Sequence, residues 1–180
     1  MHLTASVWKQ LISNRLDVVF VGLNPGMRSF ATQCFYAHPT NRFWKLLHEA
    51  GFTPRQLLPE EHTELLTWKI GLHDLVSRPT VSGNELSPVE YRLGQETLLA
   101  VARKYRPKWL AANGLTAGQW LSGDKKVREY GEWGVLPETA TRLWILPSSS
   151  GRAGSYRGGS LTYADKLIEW KRFYDIVNHS

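Results

Sequence analysis

The chain has 180 residues, 42% hydrophobic and 21% charged. That is enough apolar material to bury a core, which excludes a wholly disordered chain. A net charge of +6 favours polyanionic partners. The single cysteine, Cys34, excludes an internal disulfide and any thiolate cage for zinc or an iron–sulfur cluster within one chain.

In chain order, Leu3–Ser13 is predicted as a short helix. Asp17–Val21 (DVVFV) is β-branched and apolar, as expected of a strand covered on both faces of a parallel sheet. It ends in Gly22-Leu23-Asn24-Pro25-Gly26, where glycine and proline impose a turn. Met27–Thr40 reads as irregular. Asn41 is expected to cap a helix Arg42–Ala50 stopped by Gly51. A further helix is predicted over Glu60–Trp68, then the short apolar run Ile70–Val76 and the loop Ser77–Asn84. Pro88 suits the first turn of a long helix to Tyr105. Lys108–Ala112 and Arg142–Leu146 are the next strands, with a helix near Thr116–Leu121 between them. The second strand breaks into Pro147-Ser148-Ser149-Ser150-Gly151-Arg152 and a polar loop to Ser160. A terminal helix spans Thr162–Val177. Most of the eight tryptophans are expected in the core.

Strands alternating with helices predict an α/β chain with a mainly parallel sheet and helices on both faces. Ligands of such sheets bind beyond the carboxyl ends of the strands. If the first and last strands are neighbours, the loops Gly22–Gly26 and Pro147–Arg152 face each other across one cleft. No apolar run is long enough to span a bilayer. No signal-peptide pattern opens the chain, so a cytoplasmic protein is expected, or a nuclear one in a eukaryote. No feature calls for a dimer, and a monomer is expected.

Three segments have the residue types for chemistry. In the first, Asn24 sits in a turn stiffened by Pro25 and relieved by Gly22 and Gly26. Its amide oxygen accepts from water, although an amide is no strong base. An asparagine that merely suits a tight turn fits the same residues. The second, Tyr36–Trp44 (YAHPTNRFW), places Tyr36 and His38 just before a capped helix. Tyr36 offers a flat face to a nucleobase. The third, Pro147–Arg152, has hydroxyls and backbone N–H groups suited to phosphate oxygens, with Arg152 projecting beyond them. A hydrolase of free nucleosides or nucleotides and a non-catalytic nucleic-acid binder both remain compatible with these residues.

In their order and wording, GLNPG, YAHPTNRFW and LPSSSGR resemble the mismatch-specific uracil/thymine DNA glycosylase family of the uracil-DNA glycosylase superfamily. The likeness continues through Ala50–Thr53 and Gly71–Thr80 (GLHDLVSRPT) and covers roughly Asp17 to Gly151. It implies one domain over residues 1–180, a three-layer α/β/α sandwich around a short, mainly parallel sheet. It also implies hydrolysis of the N-glycosidic bond of uracil or thymine opposite guanine in double-stranded DNA, leaving an abasic site. The enzyme would flip the base out of the stack.

By position, Asn24 would place the attacking water. Gly22, Leu23, Pro25, Gly26, Tyr36 and Ser148 would line the base site, with Tyr36 stacking on the flipped base. Ser149, Ser150 and Gly151 would grip DNA, and Arg152 would wedge into the duplex. No lysine falls in these motifs, which implies a monofunctional enzyme, and neither metal nor cofactor is implied. Two positions depart from relatives. Ser148 stands where the most active uracil glycosylases carry histidine, implying slower turnover. Asp74 stands where relatives carry asparagine or lysine, and is expected to supplement Asn24. Product DNA with an abasic site is an expected ligand too.

Overall fold

The computed structural model describes residues 7–151 and 161–179, with the backbone alone at 155–156 and 159–160. Arg152, Gly154, Arg157 and Gly158 lie outside the described residues.

Strand β1 (Val18–Gly22) is buried at every position, as its β-branched run requires. It is followed by α1 (Met27–Thr32), α2 (Phe43–Ala50), a 3₁₀ helix (Pro59–Trp68) and β2 (Ile70–Asp74). A short 3₁₀ turn (Gly83–Glu85), α3 (Pro88–Tyr105), β3 (Trp109–Asn113), α4 (Leu115–Ser122), β4 (Gly131–Val135) and β5 (Arg142–Leu146) come next. The two-residue strands β6 (Ser155–Tyr156) and β7 (Gly159–Ser160) precede α5 (Tyr163–Asn178).

The main sheet runs in the order β2-β1-β3-β5-β4. β2, β1, β3 and β5 are parallel; β4 pairs antiparallel with β5 at the edge. Because side chains alternate along a strand, the sheet has two apolar faces. Val18, Phe20, Trp109, Ala111, Trp144 and Leu146 pack with α2 and α5 on one side. Val19, Val21, Leu110, Ala112, Leu143 and Ile145 pack with α3 and α4 on the other. This is the expected α/β/α sandwich. Trp8, Trp44, Trp109, Trp144 and Trp170 are buried, as expected of core residues. Among the described residues, no helix is long and apolar enough to cross a membrane.

Two expectations need correction, one strand went unread and one condition is not met. Residues 7–13 hold no helix: Leu11 pairs antiparallel with Leu72 through two backbone hydrogen bonds of 2.9 Å. The segment is an extended strap along the outer edge of β2. Met27–Thr40 is not wholly irregular, since α1 occupies its first six residues. Six residues are too few for a helical period to show in the sequence. β4 escapes prediction because Gly131 and Gly134 interrupt it, at φ of 122° and 138°, around a bulge. Finally, β1 and β5 are not neighbours, since β3 lies between them.

Two glycines set how closely layers approach. A methyl group at Gly94 of α3 would lie 2.1 Å from the Leu75 carbonyl oxygen. One at Gly118 of α4 would lie 2.8 Å from Ile145.

Candidate active site

The chain leaves β1 on one side for β2 and crosses back for β3, so its direction reverses at β1. Crevices form at such switch points. A cavity of about 240 Å³ opens there, and each parallel strand delivers residues to its rim. β1 ends at Gly22, β2 at Asp74 and β3 at Asn113; Ser148, Ser149 and Ser150 follow β5.

Asn24 is held by the segment after β2. Its Nδ2 donates to the Arg78 carbonyl and to Thr80 Oγ1, both at 2.8 Å. Both amide hydrogens are thereby used, which orients the group and leaves Oδ1 as an acceptor. The backbone secures the same two loops: Leu75 N donates to Gly22 O, Val76 N to Leu23 O and Thr80 N to Pro25 O. The turn is therefore stiffened by this lacing as well as by Pro25. Arg78 is itself pinned by a two-pronged ion pair with Glu90, of 2.7 and 3.1 Å. That guanidinium is the main reason the Glu90 carboxyl falls to about 2.

Neither Gly22 nor Gly26 uses the left-handed backbone region, contrary to the steric relief predicted for them. Gly22 provides space: a methyl group there would lie 2.5 Å from Asp74 Oδ1 and 3.2 Å from the Tyr36 hydroxyl. Gly26 has a φ of −70°, and a methyl group added to it would meet nothing within 4 Å, so its backbone borders open space.

Asp74 is buried, with 4% exposure, yet lines the cavity. Its Oδ2 accepts from Trp8 Nε1 at 2.9 Å, and its backbone N–H donates to Gln10 Oε1 at 2.9 Å. Burial raises its pKa to about 7, against the opposing indole hydrogen bond. Tyr36 lies in the left-handed region at φ 52°. One face of its ring is stacked on Phe43, at 3.9 Å and 17°. Burial first, and then the Asp74 charge, push its phenol up, so it remains protonated. Its buried hydroxyl has no hydrogen-bond partner among the described residues. His73, the neighbour of Asp74, donates Nδ1–H to the Asp74 carbonyl and is held neutral, its pKa driven down to about 4 by burial.

Ser149 is where the predicted DNA contacts need correction. It is fully buried. Its hydroxyl donates to Asn41 Oδ1 at 2.8 Å and accepts from Asn113 Nδ2 at 2.9 Å. Its backbone N–H meets Asn113 Oδ1 and its carbonyl accepts from Arg42 N, both at 2.9 Å. The side chain therefore joins three loops instead of facing DNA. The helix starts one residue later than expected, with Arg42 and not Asn41 as its N-cap, though Asn41 Oδ1 still accepts from Phe43 N at 3.0 Å.

Ser148 Oγ accepts from Ser150 N at 3.2 Å. The Ser150 carbonyl accepts from Lys166 Nζ at 3.0 Å. Lys166 is shifted down, first by burial and then by the charge of Arg42, so two cations flank this loop. Gly151 is exposed, and its backbone runs close to Thr40.

Asn24, Asp74, Gly22, Leu23, Pro25, Gly26, Tyr36, Ser148, Ser149 and Ser150 thus share one cavity lining. Gly151 lies beside it. Sequence reasoning missed Trp8, Asn113 and Thr80. A polar residue ending the apolar run of β3 was a usable signal for Asn113; nothing in the sequence pointed to Trp8.

The site therefore combines an acceptor held by the turn after β1, a buried carboxyl, an aromatic ring and a hydroxyl-rich loop beside basic side chains. A family model described as the uracil DNA glycosylase superfamily matches residues 10–172, most of the chain and every site position named above except Trp8. On that match, with the sheet and its cleft in agreement, the chain belongs to the uracil DNA glycosylase superfamily, hydrolytic DNA glycosylases that act on uracil.

Proposed function

We propose that the protein is a monofunctional, mismatch-specific glycosylase that excises uracil opposite guanine from double-stranded DNA, acting as a single-domain monomer. The observation that carries this reading is Asn24, whose two amide hydrogens are used and whose Oδ1 is left for water. The flipped nucleotide enters the cleft with its base beside Tyr36. The C1′–N1 bond breaks, and uracil leaves with the bonding electron pair. Water held by Asn24 adds to the electron-poor C1′ and gives up a proton. The products are an abasic site and the uracil anion, which takes up a proton from solvent as Asp74 returns its own.

Asp74, on the cleft wall, supplements Asn24 by accepting that proton. Ser150 and Gly151 face the DNA backbone beside Arg42 and Lys166, and Arg152 fills the gap left in the duplex. A hydroxyl at position 148 stabilises the departing anion less than an imidazolium would, so turnover is slow. Thymine opposite guanine is the secondary substrate.

The test uses end-labelled duplexes with G·U, G·T or A·U pairs and single-stranded uracil DNA, followed by alkali. Strand breaks at G·U only after alkali, with A·U and single strands spared, are expected. Equal release from A·U overturns mismatch specificity. Breaks without alkali overturn the monofunctional assignment. Release from nucleosides alone favours a small-molecule hydrolase.

The Asp74 pKa gives this reaction a pH signature. The Asp74 carboxylate becomes populated as pH rises through about 7, so base release rises there. In Asp74→Asn this limb is expected to vanish. Folding has the opposite sign: the native state holds a proton that the unfolded chain has lost between the ordinary carboxyl value and about 7, so this group's contribution to stability falls as pH rises through that window.

Gly22→Ala is expected to displace the Asp74 carboxyl and the Tyr36 hydroxyl together. A displacement of about 1 Å costs on the order of 10²-fold in rate. Single-turnover kinetics should show this loss in base release.

A further inference from the structure

The N-terminal strap reaches Asp74 at two points, although it precedes every motif of the site. Leu11 pairs with Leu72 of β2, Gln10 accepts the Asp74 backbone N–H, and the Trp8 indole N–H bonds Asp74 Oδ2. Trp8 is buried and fixed from its other side by Phe35, whose ring centroid is 4.5 Å away, and by Phe30 at 6.4 Å. A carboxyl group bonded through one oxygen cannot rotate freely. With Oδ2 on the indole, Oδ1 is the oxygen that lies against Gly22, the glycine that the Tyr36 hydroxyl also borders. An indole N–H only donates, so it supports the ionised carboxylate without competing for its proton.

We infer that Trp8 is a positioning residue for base release: its N–H clamps Asp74 Oδ2, aims Oδ1 at the cleft and makes the strap part of the active site. The inference rests on the proposed role of Asp74 and extends it to a residue outside the family motifs. The groups facing the carboxyl are Trp8 and Gln10 from the strap, Gly22 from β1 and the Tyr36 hydroxyl from the loop before α2. His73, next in the chain, turns its Nδ1–H to the backbone carbonyl. The clamp is thus the one donor side chain bonded to this carboxylate among the described residues.

The test is Trp8→Phe, which keeps an aromatic ring against Phe35 and removes the N–H. A lost hydrogen bond to a buried charged group moves a carboxyl upward by about one pH unit. The acid limb of single-turnover uracil release is therefore expected to move up by about one unit. Release falls about fivefold at pH 7 and recovers in alkali. Independently of activity, the carboxyl-carbon resonance of ¹³C-labelled Asp74 should titrate higher by the same amount. Asp74→Asn run in parallel separates the two claims. A limb that vanishes in Asp74→Asn but stays in place in Trp8→Phe overturns the clamp and leaves the Asp74 role standing. A limb that survives in Asp74→Asn overturns both. If Trp8→Phe folds poorly, Trp8→His keeps a ring N–H donor. Restoration of the wild-type limb in that variant supports the clamp, and an equal loss at every pH overturns it.

Discussion

Asn24→Ala is expected to slow uracil release on the order of 10³-fold, with binding to abasic duplex DNA nearly unchanged. The side chain removed makes two hydrogen bonds within the protein and leaves one acceptor at the cleft. Truncation therefore removes the acceptor proposed to place water, while the backbone lacing between the two loops remains. Asn24→Asp separates orientation from acceptance. A carboxylate cannot donate to Arg78 O and is repelled by it, although the Thr80 hydroxyl can reverse and donate, so the side chain shifts from its place and loses most of the activity too. Single-turnover release and equilibrium binding, measured on the same preparations, check both variants. A loss of abasic-DNA binding as large as the loss of rate would show that Asn24 holds DNA instead.

Gly94→Ala is expected to destabilise the fold by about 3 kcal/mol, the upper part of the range for overpacking a well-filled interior. The methyl group would lie 2.1 Å from the Leu75 carbonyl oxygen, a backbone atom that cannot rotate aside. In a chain of this length the corresponding fall in Tm is about 6–12 °C. Leu75 follows Asp74 and donates its N–H to Gly22 O. Relief of the clash by moving Leu75 therefore also disturbs the cleft. Thermal melts followed by circular dichroism, together with base release at low temperature, check both effects.

The sheet was legible in the sequence because its parallel strands are short continuous apolar runs bounded by glycine, proline or charge. DVVFV and LWIL have no other plausible place than a doubly covered strand. Elements without a period escaped: α1 is a turn and a half long, and β4 carries two glycines at its bulge. The strap escaped because its short mixed run of apolar and polar residues has the same appearance in a helix, a loop or an edge pairing.

For the site, the motif loops pointed to Asn24, Tyr36 and the serine loop. The orientation of the Asn24 amide, however, is decided by Arg78 and Thr80, more than 50 positions away. Ser149 shows the same limit. A serine in a phosphate-suited loop reads as a ligand donor, and only packing reveals that its hydroxyl is already used.

That hydroxyl has a kinetic consequence. Ser149 joins Asn113 across 36 positions of chain and Asn41 across 108. A joint of such span forms only after the intervening strands have docked, since closing long loops precedes any return from the contacts they bring together. Compaction around the central strands can run ahead, but the cleft matures with the last third of the chain. During refolding, tryptophan burial should therefore precede the return of base release, with catalytic competence as the late event.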